Sequence, residues 1–213
     1  MHYKSNIIEF IRFIKERLRT HLPGREAQIK MAPSINGQFI RGFDAPKNAK
    51  ESSVLLLLLP NQDDSDLSIL FTLRSTKLNS HSGQISFPGG RKEKNETLYE
   101  TALRETREEI GIETSGIQVL GKLSTLYVPP SNAIIHPFVG YMDFLPQTKP
   151  NQSEVVEIFT VSLNYFLEND YEMQVWDYNG YKMDVPLWKV HKTTPLWGAT
   201  AMILMEFLTL LKE

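Results

Sequence analysis

Apolar residues recur at three- and four-residue spacing near the start of the chain: Ile7, Ile8, Ile11, Ile14 and Leu18, with Phe10 and Phe13 beside them. That spacing lays one apolar stripe along a helix over residues 5–20, packed on the rest of the protein. The opposite face mixes both signs of charge, which fits a protein surface better than a membrane surface. From Pro23 to Lys50 the pattern dissolves into Gly, Pro, Asn and Lys, and an irregular arm is expected with one short strand near Gln38–Arg41.

Val54–Leu59 is a continuous apolar run ending at Pro60, as in a strand buried on both faces. A polar turn over Asn61–Asp66 and a second apolar run, Leu67–Leu73, complete a hairpin. A loop over Arg74–Gly90 precedes the clearest helix, Glu96–Ile110, which Gly111 closes as a C-cap. Strands follow at Gln118–Leu126, Ile134–Met142 and Val155–Val161, with a short helix through Leu167. Glu172–Tyr178 and Tyr181–Val185 flank Asn179-Gly180, the strongest two-residue hairpin signal in the chain. A helix from about Trp197 to Leu211 ends the pattern. Mixed strands, hairpins and few helices predict an α/β or α+β domain with a mixed sheet. Residues 1–50 read as a helix and arm packed on a domain over 51–213.

Composition narrows the function classes. The 213 residues carry 23 Lys+Arg against 25 Asp+Glu, a net charge of -2. No basic excess exists to coat a nucleic acid, although a basic pocket for a small anion is allowed. Cysteine is absent, which removes disulfides, zinc-thiolate sites and cysteine nucleophiles together. No apolar run is long enough to span a bilayer, and the first residues lack the order of a signal peptide. A soluble cytoplasmic protein is the default expectation.

The chemistry concentrates in residues 89–112. Glu105, Glu108 and Glu109 stand at i, i+3 and i+4, on one helical face. Like charges so placed cost about 0.2–0.5 kcal/mol per pair unless a cation offsets them. Arg104 and Arg107 supply part of that offset; a divalent ion would supply more, and carboxylate oxygens are ligands for Mg²⁺ or Mn²⁺. Read alone, the three carboxylates also fit a solvated acidic face.

The flanks favour chemistry. Gly90, Glu96, Arg104, Glu105, Glu108, Glu109, Gly111 and Ile112 match the Nudix box, G-x5-E-x7-R-E-U-x-E-E-x-G-U, at every spacing. The segment therefore resembles that of the Nudix hydrolases; seven fixed positions agree by accident on the order of once in a million such chains. Thr106 departs from the pattern where an apolar residue is usual, and its methyl can still pack. The resemblance implies a Nudix fold, a mixed sheet sandwiched between helices with an added N-terminal helix. It implies hydrolysis of a diphosphate linked to another moiety, with Mg²⁺ or Mn²⁺ as cofactor. It assigns Glu105, Glu108 and Glu109 as metal ligands, with one of them a candidate for the base. Arg104 would orient that face and Gly90 or Gly89 would offer a carbonyl to the metal. Glu96 would support the loop, or sit as a first-turn acid favoured by the helix dipole. Glu154 is a supporting acid.

Upstream, Leu70, Thr72, Arg74, Ser75, Gly83, Phe87, Pro88, Gly89 and Gly90 are similar to the extra signature of the coenzyme A pyrophosphatase subgroup. Asn79 stands where that signature has arginine. The resemblance implies a coenzyme A-like nucleotide substrate, with Arg74, Ser75, Asn79, Gly83 and Gly89 as binding residues. Products would be 3′,5′-ADP and 4′-phosphopantetheine. His81 is a candidate contact; His136 reads as packing, and Trp176, Trp188 and Trp197 as core or rim. Another nucleoside diphosphate derivative, such as ADP-ribose or a dinucleoside polyphosphate, is the alternative substrate. A non-catalytic nucleotide-binding regulator is the alternative from another class. No nucleic-acid or membrane partner is implied, and a monomer or homodimer is equally compatible.

Overall fold

The structure, a computed structural model, describes residues 7–40, 42–61, 66–76 and 82–212. Helix α1 spans Ile7–Arg17. Ile11, Ile14 and Leu18 are buried and Ile7, Phe10 and Phe13 pack partly beside them, whereas Ile8 is exposed despite its place in the stripe. The arm is more ordered than its composition suggests. It forms a short helix α2 (Gly24–Gln28), a 3-10 turn at Ile29–Met31, and strands β1 (Ser34–Ile35) and β2 (Gln38–Phe39).

The central strand β3 runs from Lys50 to Pro60, four residues earlier than the apolar run begins. Strands β4 (Leu67–Arg74), β5 (Ile85–Ser86) and β6 (Gly89–Arg91) follow, the last two inside the stretch expected to be loop. Helix α3 spans Leu98–Ile110. The apolar stretch after it splits into β7 (Gln118–Lys122) and β8 (Leu126–Val128), and β9 spans Ala133–Tyr141. Then come β10 (Val155–Ser162), α4 (Leu163–Glu168), β11 (Glu172–Tyr178), β12 (Tyr181–Trp188), β13 (Leu196–Trp197) and α5 (Gly198–Lys212).

The expected mixed sheet is present, and a second, wholly antiparallel sheet stands beside it. The larger has the order β10-β4-β3-β9-β7, with β5 on β4, β6 on β3 and β8 on β9. β3 and β9 are parallel, so the chain crosses over through α3 between them. The smaller sheet, β11-β12-β1-β2 with β13 on β12, is built on the predicted hairpin. Asn179 and Gly180 take φ 52° and 81°, the paired left-handed conformations a tight hairpin turn requires.

Alternation along β3 divides the core. Leu56 and Leu58 face the layer formed by α1 and α5, while Leu55, Leu57 and Leu59 face Ala102 and Ile110 of α3. The larger sheet is thus covered on both faces along Val54–Leu59, which is why its central strand is apolar over that run, whereas its first residues, Lys50–Ser53, are polar. Among the described residues no helix is long and apolar enough to cross a membrane.

Candidate active site

Helix α3 begins at a complete capping box. The Thr97 hydroxyl accepts from the Glu100 amide at 3.2 Å, and the Glu100 carboxylate accepts from the Thr97 amide at 2.7 Å. Glu96 therefore lies before the cap, not in the first turn, and its job is different from dipole compensation. It accepts from Arg104 Nε at 3.0 Å and Nη2 at 2.9 Å, from the Glu93 amide at 2.6 Å, and from Thr101 Oγ1 at 2.9 Å. The Arg104 hydrogen bonds dominate, and they hold the Glu96 carboxyl down at about 2. The same bonds raise the pKa of Arg104 above its ordinary value.

Arg104 then reaches forward. Its Nη1 donates to Glu105 at 2.9 Å and to Glu108 at 3.1 Å, and Nη2 donates to the Arg91 carbonyl at 3.1 Å. This one guanidinium ties the loop before the helix, the end of β6 and two of the box glutamates together. Thr106 is fully buried and its hydroxyl donates to the Ala102 carbonyl at 2.7 Å, so the polar departure is satisfied within the helix.

The three glutamates do not share one environment. The Glu108 side chain is 50% exposed, Glu105 is 15% exposed, and Glu109 is 1% exposed. The Glu105 carboxylate lies against Gly90, where an added Cβ would stand 2.4 Å from Glu105 Cδ, so only glycine leaves it room. Glu109 points inward, accepting from Arg74 Nη1 at 3.2 Å and from the Gly89 amide at 3.1 Å. Burial raises the pKa of Glu105, and the charges of Glu108 and Glu154 add to that against Arg104. Burial likewise pushes Glu109 up to about 7, with Glu105 and Glu154 adding and Arg74 and the Gly89 amide opposing.

Among the described residues no three His, Cys, Asp or Glu side chains converge closely enough to hold a metal ion as they stand. Arg104 sits between Glu105 and Glu108, and Arg74 occupies Glu109. The donor set nevertheless suits a hard divalent cation: all of its atoms are oxygen, and two of its carboxylates are held where burial disfavours their charge.

A cleft of about 330 Å³ adjoins this cluster, and Arg74, Gly89 and Gly90 line it. Its floor is one face of the larger sheet. Lys50, Ser52 and Val54 alternate along β3; Arg91 and Gly89 stand opposite Ser52 and Val54 on β6; Ala133 and Ile135 stand opposite Lys50 and Ser52 on β9. Trp197, Ala199, Thr200 and Ile203 form the wall on the α5 side. Trp197 packs edge-on to Trp176 at 4.8 Å, and Trp188 is buried among aromatic rings, as expected of core and rim residues. His136 lies in β9, partly buried, 3.6 Å from Glu51.

Of the other expected binding residues, Ser75 is buried with its amide donating to the Glu154 carbonyl at 2.8 Å. Gly83 turns the chain before β5. Neither lines the cleft. Asn79 and His81 lie outside the described residues. Lys50, Ser52 and Arg91 were not among the expected residues. Arg91 follows the Gly-Gly pair directly, the one local signal for it, whereas Lys50 arrives only through strand register.

A family model described as NUDIX domain matches residues 49–181. Nudix hydrolase 3 of Caenorhabditis elegans is 32% identical over 203 residues, covering 88% of this chain and 84% of that protein. Mitochondrial coenzyme A diphosphatase NUDT8 of Homo sapiens is 34% identical over 171 residues, covering 78% and 72% respectively. Peroxisomal coenzyme A diphosphatase NUDT7 of Mus musculus is 39% identical over 121 residues, covering 56% of this chain and 50% of that one. In fold, the chain resembles the crystal structure of a MutT/nudix family protein from Enterococcus faecalis, with a TM-score of 0.50 and 15% identity over 96% of this chain and 68% of that one.

Proposed function

The chain belongs to the Nudix hydrolase family, in its coenzyme A diphosphatase-like subgroup, and on that premise we propose that it hydrolyses the diphosphate of coenzyme A or its derivatives with Mg²⁺ or Mn²⁺. The observation that carries the reading is Glu109. This buried glutamate of the box touches Arg74 and Gly89, both of which line the cleft. A substrate in the cleft thereby has its reacting group beside the carboxylate cluster.

In the proposed reaction water adds to one phosphorus, and the bridging oxygen leaves with the other. Glu105, Glu108 and Glu109 would hold the divalent cation, with Gly89 or Gly90 adding a carbonyl. When bound, the cation supplies neutralisation of diphosphate charge and a lowered pKa for the attacking water. One of these glutamates, or Glu154 beside them, takes the proton from the water. Arg104, fixed by Glu96, orients the Glu105–Glu108 edge. Arg74 is placed to donate to a phosphoryl oxygen, since its Nε is buried without an acceptor among the described residues.

The test is to incubate the protein with coenzyme A, dephospho-coenzyme A, ADP-ribose and a dinucleoside polyphosphate, each with Mg²⁺ or Mn²⁺, and to identify products by mass. Coenzyme A is expected to give 3′,5′-ADP and 4′-phosphopantetheine. EDTA is expected to abolish turnover, and either ion to restore it; full activity in metal-stripped buffer would exclude the carboxylates from cation binding. Asn79 in place of the subgroup's arginine favours a second reading, a different nucleoside diphosphate derivative, and preferential cleavage of ADP-ribose would establish it. The four acidic positions of the box are intact, which speaks against a non-catalytic binding domain. A small nucleotide is the proposed partner, and the cytoplasm the proposed location.

A further inference from the structure

The described residues lining the cleft include Lys50, Arg74 and Arg91 but no Asp or Glu. In a chain of net charge -2 this is a local concentration of one sign. Arg74 is answered by Glu109 at 3.2 Å. Lys50 and Arg91 have no ion-pair partner among the described residues. The neighbouring carboxylate, Glu51, alternates to the other face of β3 and lies 3.6 Å from His136. The Arg91 carbonyl is fixed by Arg104, which leaves its side chain to the cleft.

The register makes these two cations a pair. Lys50 and Ser52 are two apart on β3 and so share a face, and Arg91 stands opposite Ser52 on β6. The first turn of α5 brings Ala199 and Thr200 to the same cleft, so the positive end of that helix faces the same space. Two unanswered cations beside a hydroxyl match the charge of a phosphomonoester, about -2 at neutral pH.

We infer that Lys50 and Arg91, with Ser52 between them, form a second phosphoryl-binding subsite, separate from the carboxylate cluster, that reads a phosphomonoester on the ribose of the substrate. The inference rests on the coenzyme A reading for its ligand, the 3′-phosphate. It also answers what replaces the arginine missing at position 79. Among the described residues Arg74 is paired with Glu109 and assigned to the diphosphate, and Lys92 does not line the cleft, so Lys50 and Arg91 are the cleft cations left for this group.

Two measurements at one ionic strength test it. The first is the ratio of kcat/KM for coenzyme A to that for dephospho-coenzyme A, in wild type, Lys50→Gln and Arg91→Gln. The second is the ratio of Kd for 5′-AMP to that for 3′,5′-ADP, by calorimetry in metal-free buffer. Each substitution is expected to lower both ratios about 10- to 100-fold, the loss of one charge-assisted contact. Lys50→Arg, which keeps the charge, is expected to retain most of the discrimination. Ratios equal to those of wild type in both variants would overturn the subsite, whether or not overall activity falls. If the wild type cleaves neither substrate, the proposed function fails, while the calorimetric ratio still decides the subsite.

Discussion

Glu105 and Glu109 sit on one helix yet hold their charges under different constraints, because one lies against Gly90 and the other is buried against Arg74. Their amides would keep the shape and remove the anion. Glu105→Gln and Glu109→Gln are each expected to lower kcat by about 10²-fold or more with the fold preserved, as read by steady-state kinetics and circular dichroism. Wild-type turnover in both variants would remove the box from the mechanism. Glu96 gives a different signature. Arg104 lowers its folded pKa to about 2, so its contribution to stability is complete above the unfolded value near 4.5. That contribution disappears as the pH falls through the window between 4.5 and 2. Thermal melts across this range should show the wild type losing more stability than Glu96→Gln; parallel curves would show that the ion pair contributes nothing. The identities of these residues were legible in the sequence because a short segment carries them at fixed spacing. Their unequal burial was not, since it depends on what β4 and β6 bring to the helix. Helical periodicity put Glu105, Glu108 and Glu109 on one face, and packing sent Glu108 to solvent and Glu109 to Arg74.

Between elements, the contact that matters is β6 against α3. β6 is three residues long and was hidden in a stretch that reads as loop, because a strand of Gly-Gly-Arg has neither alternation nor β-branched residues. Only its pairing with Ser52, Ser53 and Val54 makes it a strand. A side chain at position 90 would meet the end of a flexible carboxylate, not backbone, so the penalty falls on geometry more than on stability. Gly90→Ala is therefore expected to change the melting temperature by only a few degrees, while displacing Glu105 and lowering kcat/KM on the order of 10- to 100-fold. A variant that melts far lower, or one with full activity, would contradict this account of the glycine. The long elements β3, α3 and α5 were predictable from periodicity, whereas α2 and β1 were not. They form in a stretch of Pro, Gly and Asn because partners distant in sequence satisfy their backbone.

At the scale of the molecule, one buried side chain joins three distant segments. Glu206 of α5 is fully buried; it accepts from the Gly24 amide at 3.2 Å, the Ser124 amide at 3.0 Å and Gln28 Nε2 at 2.8 Å. Nothing in the sequence marks it, since a single Glu in an apolar helix identifies none of its three donors. Removing the acceptor leaves buried donors unpaired at roughly 1–3 kcal/mol each. Glu206→Ala is expected to lose on the order of 3 kcal/mol in urea denaturation, and Glu206→Gln less, because an amide oxygen can still accept from the two backbone donors. A loss below 1 kcal/mol for Glu206→Ala would show that the arm is held by apolar contacts alone. The same link sets an order of events during synthesis. Gln28 is made 178 residues before its acceptor and Gly24 182 residues before, so at about 5–20 residues per second the arm waits on the order of ten seconds or more. A segment that leaves the ribosome well before α5 is fastened only after α5 has followed it, and a chain released before residue 206 has no acceptor with which to fasten it.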